Sequence, residues 1–172
     1  SKSKFSVRDI CYAGLFAAVI AVMAQISIPM PLGVPMTMQT FAITLAAVVL
    51  GSKLSAIATL VYLALGAVGV PVLANFSGGL DKFVGPTLMA YIIGLGVEHR
   101  NAFKGAFVTA VVVGTLVNYV VGVALFVVVA HSTIAVGISA CVLPFIPTAI
   151  IKAVLACAIG LNLRKRIPGL KA

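Results

Sequence analysis

The chain has 172 residues, of which 62% are hydrophobic and only 9% are charged. A soluble domain is about 45–50% apolar and about 25% charged, so this composition excludes an ordinary soluble protein. Once the apolar runs are assigned, no soluble domain is left over. We therefore expect a single integral-membrane domain over residues 1–172.

The formal net charge of +9 does not indicate nucleic acid as a partner. The basic residues lie at the edges of apolar segments instead of forming one face with polar or aromatic neighbours. The three cysteines are far apart inside apolar runs and show no CxxC or Cys/His spacing that would hold a metal. We expect neither a metal site nor a nucleic-acid site.

Six apolar segments follow one another along the chain, and a helix needs about 20 apolar residues to cross the hydrocarbon core of a membrane. They cover residues 10–28, 37–50, 54–72, 83–97, 105–130 and 135–163. Pro144 and Pro147 break the start of the last one. The predicted fold class is an all-α membrane protein with six transmembrane helices.

The fourth segment is short for a membrane span. Its 15 residues, from 83 to 97, make about 22 Å of helix. Either this helix is re-entrant or shielded by its neighbours, or residues are missing from the sequence between Thr87 and Leu88.

The basic residues predict the orientation of the chain. If six segments cross, both termini lie on one side, and ten of the twelve basic residues lie on that same side. The ten are Lys2, Lys4, Arg8, Lys53, Arg100, Lys104, Arg164, Lys165, Arg166 and Lys171. Because basic residues collect on the cytoplasmic side, we expect cytoplasmic N and C termini and a prokaryotic plasma-membrane protein.

Small residues recur on the first helix at Ala13, Ala17 and Ala21. This four-residue spacing gives a smooth face on which another helix can approach closely. Two interpretations are open: packing within the chain's own bundle, or docking to a partner subunit.

Lys152 is the unusual charge, because it lies inside the apolar run PFIPTAIIKAVLA. A lysine at the centre of a membrane helix costs about 2.5–3.5 kcal/mol. The chain has only three acids, Asp9, Asp81 and Glu98, and the predicted topology places none of them within a span. Lys152 therefore either reaches outer lipid headgroups or binds a ligand, such as a carboxylate entering from outside.

The sequence does not assemble a catalytic group of nucleophile and base, a carboxylate pair or a phosphate loop of the form GxxxxGK[ST]. We expect a protein that is not an enzyme and does not hydrolyse ATP itself. Several amide, hydroxyl and phenol groups at the spans or their outer ends suit a neutral polar ligand. Among them we select Gln39, Tyr62, Asn75, Thr87 and Tyr119 as candidate binding residues, with Asn75 and Gln39 preferred.

Four stretches carry a family resemblance: PMTMQTFAITLAAVVLG, YLALGAVGVPVLANFSGGL, VGPT and PFIPTAIIKAVLA. In order and spacing they resemble BioY, the biotin-specific substrate-binding subunit of energy-coupling-factor transporters. The resemblance covers nearly the whole chain. It implies a six-helix protein that captures biotin externally and requires no cofactor. It also implies docking, through the Ala13, Ala17 and Ala21 face, on a transmembrane coupling subunit with two ATPases.

The chain departs from that family at two places. The family usually continues GPT with a Gly-Gly-aromatic stretch, whereas here Leu88 follows Thr87 directly. It also often carries an aspartate three positions before the lysine, where this chain has Ala149. If that aspartate receives the ureido N–H groups, this chain uses another acceptor, for which Asn75 and Gln39 are the candidates. Lys152 matches, as a charge partner or a donor to a ligand oxygen.

Two other functions are open at this point. The same fold can serve another vitamin, such as riboflavin or thiamine. The chain can also be an intramembrane enzyme or a lipid-binding protein in which Lys152 faces phosphate headgroups. Biotin capture explains the largest number of the motifs.

Overall fold

The computed structural model describes residues 5–29, 36–70, 81–102 and 105–167, without the side chains of residues 81–84. These residues are almost entirely helical, which confirms the all-α class. The elements are α1 (Val7–Gln25), β1 (Ser27–Ile28), β2 (Met36–Thr37), α2 (Gln39–Leu50), α3 (Ser52–Ala67), α4 (Asp81–Glu98), α5 (Ala106–Val129), α6 (Ile134–Cys141), a 3₁₀ helix (Leu143–Phe145) and α7 (Ile146–Arg166). The two short strands were not predicted. They pair antiparallel, Ser27 with Thr37 and Ile28 with Met36.

Within the described residues, three segments are long and apolar enough to cross a membrane. They are Val7–Gln25, Ala106–Val129 and Ile134–Arg166. Two further apolar helices, Gln39–Leu50 and Ser52–Ala67, are shorter. The predicted total of six crossings stays a prediction.

The last predicted span is not one continuous helix. It divides into α6 and α7 at Leu143–Phe145, where Pro144 has no N–H to continue the α-helical hydrogen-bond pattern. The fourth helix is longer than predicted, since α4 begins at Asp81 and continues through Thr87 and Leu88 without a break. Its 18 residues extend about 27 Å.

Helix α1 begins at a capping box. The Ser6 hydroxyl accepts a hydrogen bond from the Asp9 N–H at 3.2 Å, and the Asp9 carboxylate accepts one from the Ser6 N–H at 2.9 Å. These side chains satisfy backbone donors that the first turn leaves free, so the local sequence determines where α1 starts.

Helix α2 lies at the centre of the bundle. Every residue from 41 to 50 is buried, and α2 packs against α1, α3, α4 and α7. Its 12 residues make about 18 Å of helix, too short to cross a hydrocarbon core of about 30 Å. Because residues 41 to 50 are all buried, neighbouring helices cover this short helix on all sides.

Charged side chains from distant helices form hydrogen bonds with backbone groups at the junction between α2 and α3. Arg164 of α7 donates to the Val49 carbonyl at 2.9 Å, where α2 ends. The Glu98 carboxylate of α4 accepts from the Ser52 N–H at 2.8 Å, where α3 begins. A cation at a helix C-terminus and an anion at a helix N-terminus both complement the helix dipole.

A single residue, Gly51, joins these two helices. Its φ of 85° and ψ of −175° belong to a region that is essentially restricted to glycine. A Cβ at this position would lie 2.5 Å from Oε1 of Glu98. Glycine is therefore required both by the backbone conformation and by the approach of the carboxylate.

Replacing Gly51 tests this junction. We expect Gly51→Ala to lower the free energy of unfolding by about 2–3 kcal/mol, since it combines a glycine-only conformation with a steric conflict. Gly105→Ala is the control, because Gly105 also has a positive φ of 93° but a Cβ there meets no atom of the described residues within 4 Å. Its loss should be about 1 kcal/mol. Thermal unfolding of both variants in detergent measures the difference, and equal losses would contradict the role of Glu98.

Candidate functional site

A small polar cleft, called the cavity below, lies between α2, α4, α5 and α7. Its lining is Thr40, Thr44, Met89, Thr115, Asn118, Tyr119, Ala149, Lys152 and Ala153. The lining combines one cation, hydroxyl and amide groups, and small apolar side chains.

Lys152 belongs to the inward face of α7. Ala156, Gly160 and Arg164 follow it at helical spacing and are buried, whereas Ile151 is 59% exposed on the outer face. The Lys152 ammonium donates a hydrogen bond to the Thr37 carbonyl, just before α2. Of the two predicted roles for this lysine, the inward position favours a ligand contact over lipid headgroups.

No described carboxylate neutralises Lys152. Asp9 binds the backbone at the start of α1, and Glu98 binds Ser52 at the start of α3. The third acid is Asp81, whose side chain lies outside the described residues. An ammonium has three donors, so the bond to Thr37 leaves two for a ligand.

Two threonines of the cavity have already used their hydroxyl protons. Thr44 donates to the Thr40 carbonyl at 2.8 Å, and Thr115 donates to the Val111 carbonyl at 2.8 Å. A hydroxyl that donates to its own helix keeps its lone pairs for another partner. These side chains therefore face the cavity as acceptors.

Asn118 and Tyr119 extend the lining along α5. The Asn118 carboxamide lies close to α4, because a Cβ built on Gly85 would be 2.8 Å from Asn118 Oδ1. The absence of a side chain at Gly85 therefore gives the amide its room. Gly85 belongs to the VGPT stretch noted in the sequence.

The candidate binding residues do not all come together. Lys152 and Tyr119 line the cavity. Gln39 begins α2 beside it, and its N–H donates to the Thr37 hydroxyl at 3.3 Å. Thr87 lies on α4, half-buried and outside the lining. Asn75 lies outside the described residues.

Tyr62 is the most deeply placed candidate. It is 0% exposed in the hydrophobic core and does not line the cavity. Its hydroxyl oxygen has no hydrogen-bond partner among the described residues. Direct ligand binding by Tyr62, Gln39 and Thr87 stays a prediction.

The small-residue face of α1 points into the chain's own core. Ala13 is 5% exposed and Ala17 is 2% exposed, and Ala21 is half-buried against the same cluster. Helix α1 packs there on α2 and α3. The described residues pack this face internally, which is one of its two interpretations. Docking to a partner stays a prediction.

Sequence reasoning did not select Thr40, Thr44, Thr115 or Asn118 as site residues. A threonine in an apolar helix usually forms a hydrogen bond with its own helix backbone. The sequence alone therefore does not distinguish Thr40, Thr44 and Thr115 from the other threonines. The signal that was available is Asn118, since an amide inside an apolar run is costly without a partner.

The described part of the lining contains no histidine, cysteine or carboxylate, and no group of three metal-ligating side chains occurs among the described residues. What it offers is one cation, several acceptors and an apolar surround.

Comparison with known proteins finds a matching family and several similar chains. The model of the BioY family matches residues 1–169. A biotin transporter BioY from Thermotoga maritima is 40% identical over 92% of this chain and 97% of its own length. A second, from Rhizobium etli, is 36% identical over 90% of this chain and 92% of its own.

A solved structure shares the fold. The S-component for biotin from an ECF-type ABC transporter superposes with a TM-score of 0.79, covering 92% of each chain at 24% identity. Together with the match of the family model over nearly every residue, these similarities establish that the chain belongs to the BioY family.

Proposed function

We propose that the chain captures biotin at the external side of a prokaryotic plasma membrane and is the substrate-specific subunit of an energy-coupling-factor transporter. The observation that carries this proposal is the cavity in which the inward-facing Lys152 meets polar groups of α2 and α5. The relative from Thermotoga maritima, named as a biotin transporter, supports the choice of vitamin.

Biotin consists of a cyclic urea fused to an apolar sulfur-containing ring, with an apolar chain that ends in a carboxylate. Met89, Ala149 and Ala153 supply apolar contacts for the ring and chain. Lys152 donates to a ligand oxygen, from the carboxylate or from the ureido carbonyl. In an apolar surround such a charge-assisted hydrogen bond is worth more than in water.

The proposed topology has six crossings with both termini in the cytoplasm. Its support is the distribution of charge, since the exposed basic residues Lys53, Arg100, Lys165 and Arg166 all lie at helix ends predicted to be cytoplasmic. Lys152 then lies six residues from the outer end of α7, about 9 Å deep. A ligand reaches that depth from outside.

The proposed partners are membrane lipid, a transmembrane coupling subunit and two ATPase subunits. Their support is the neighbour of the same fold, which is a component of an ECF-type ABC transporter. Docking through Ala13 and Ala17 requires α1 to expose a face that its own core now covers. No cofactor is part of the proposal, and biotin is the cargo.

Substituting Lys152 tests the ligand site. We expect Lys152→Met to weaken biotin binding by about 10- to 100-fold, the scale of one lost hydrogen bond to a charged group. The measurement is biotin titration of the purified protein in nanodiscs, with membrane abundance as a check on folding. Lys165→Met is the matched control, because Lys165 is exposed on the same helix. Binding that survives Lys152→Met would exclude this site.

Filling the cavity gives an independent test. Ala149→Phe places an aromatic ring in the ligand volume, and we expect biotin affinity to fall by more than about tenfold, since overpacked sites lose their shape. Ile150→Phe is the control, because Ile150 is the next residue but is 61% exposed on the outer face of α7. Equal affinities for the two variants would place the biotin site elsewhere.

A further inference from the structure

Asn118 differs from the other polar groups of the cavity in what it can offer a ligand. It is the carboxamide of the lining and belongs to α5, whereas Lys152 belongs to α7. A carboxamide presents a donor and an acceptor side by side in one plane, while an ammonium only donates. Thr44 and Thr115 have given their protons to helix carbonyls and face the cavity as acceptors.

A cyclic urea has an edge of matching shape. Its N–H and its C=O point the same way, so the acceptor and donor of a primary carboxamide meet them in two parallel hydrogen bonds. The same bidentate matching lets asparagine read the edge of adenine. One hydroxyl or one ammonium cannot make this pair of bonds, because neither has both groups at that spacing.

Gly85 determines where this amide lies. A Cβ on Gly85 would be 2.8 Å from Asn118 Oδ1, closer than a carbon and an oxygen normally approach, but 3.5 Å from the nearest atoms of Val121, an ordinary contact. Gly85 directly precedes Pro86 within α4, and a Cβ on the residue before a proline is disfavoured in helical backbone. Gly85→Ala therefore acts on the backbone of α4 as well as on the amide, and the Asn118→Ala background separates these two effects.

We propose that Asn118 is the specificity-determining residue that recognises the cyclic-urea edge of the ligand, and that Gly85 positions it. This inference rests on the proposed function, because it assigns the urea end of biotin within the same cavity. It also gives the cavity an acceptor on α5, whereas Ala149 of the same lining has no polar side chain.

The first test is a double-mutant cycle on biotin affinity in nanodiscs. We expect Asn118→Ala and Gly85→Ala each to weaken binding by about tenfold or more, the scale of losing a bidentate contact and leaving a ligand group unpaired. In the Asn118→Ala background, adding Gly85→Ala should change affinity by less than about twofold, since the amide is already absent. Val120→Ala is the control, because Val120 is 68% exposed on the outer face of α5.

The second test reverses the specificity. In 2-iminobiotin a protonated guanidinium replaces the urea and presents two donors on one edge, which requires two acceptors. Asn118→Asp supplies them, so we expect its preference for biotin over 2-iminobiotin to fall at least about tenfold relative to the wild type. This ratio compares two ligands on one protein, so a general loss of stability does not alter it.

The outcomes separate the two proposals. Wild-type protein that does not bind biotin overturns the proposed function. Wild-type protein that binds biotin, together with Asn118 variants of unchanged affinity and unchanged ligand preference, overturns the role of Asn118 alone. If Asn118→Ala fails to fold, the double-mutant cycle cannot be measured. The ligand preference of Asn118→Asp then decides whether Asn118 recognises the cyclic-urea edge.

Discussion

Carbonyl groups at the two ends of α2 require hydrogen-bond donors inside an apolar molecule, and α7 supplies both. Lys152 donates to the Thr37 carbonyl before α2, and Arg164 donates to the Val49 carbonyl at its end. The two cations are 12 residues apart, about 18 Å along α7, which equals the length of α2. Unpaired backbone groups are costly where water is absent, so this pairing holds α2 against α7.

The position of the cavity follows from that pairing. With α2 held against α7, Thr40 and Thr44 lie across from the residues that α5 contributes, and the cavity remains between them. Gly160 permits the close approach of α7, since a Cβ there would lie 2.7 Å from Val48. Lys152 therefore has two roles, in the support of α2 and in the proposed contact with biotin, which explains how the chain tolerates its desolvation.

Features encoded in a single segment were predictable from the sequence. The all-α class and the approximate limits of α1 and α5 depend on the hydropathy of each segment. Features that depend on contacts between different helices were not predictable from the sequence. Thr44 and Thr115 resemble ordinary helix residues until α2 and α5 are brought together, and the junction at Gly51 depends on Glu98 and Arg164 from distant helices. Asn75, a preferred candidate, lies outside the described residues.

The central claim is that biotin binds between α2, α4, α5 and α7, in contact with Lys152. An experimental structure of the protein with biotin bound tests it most directly. The account predicts ligand density in this cavity, with a biotin oxygen within hydrogen-bonding distance of the Lys152 ammonium and the ring beside Met89 and Ala153. Density for biotin at another place in the bundle, with this cavity left without ligand, would contradict it.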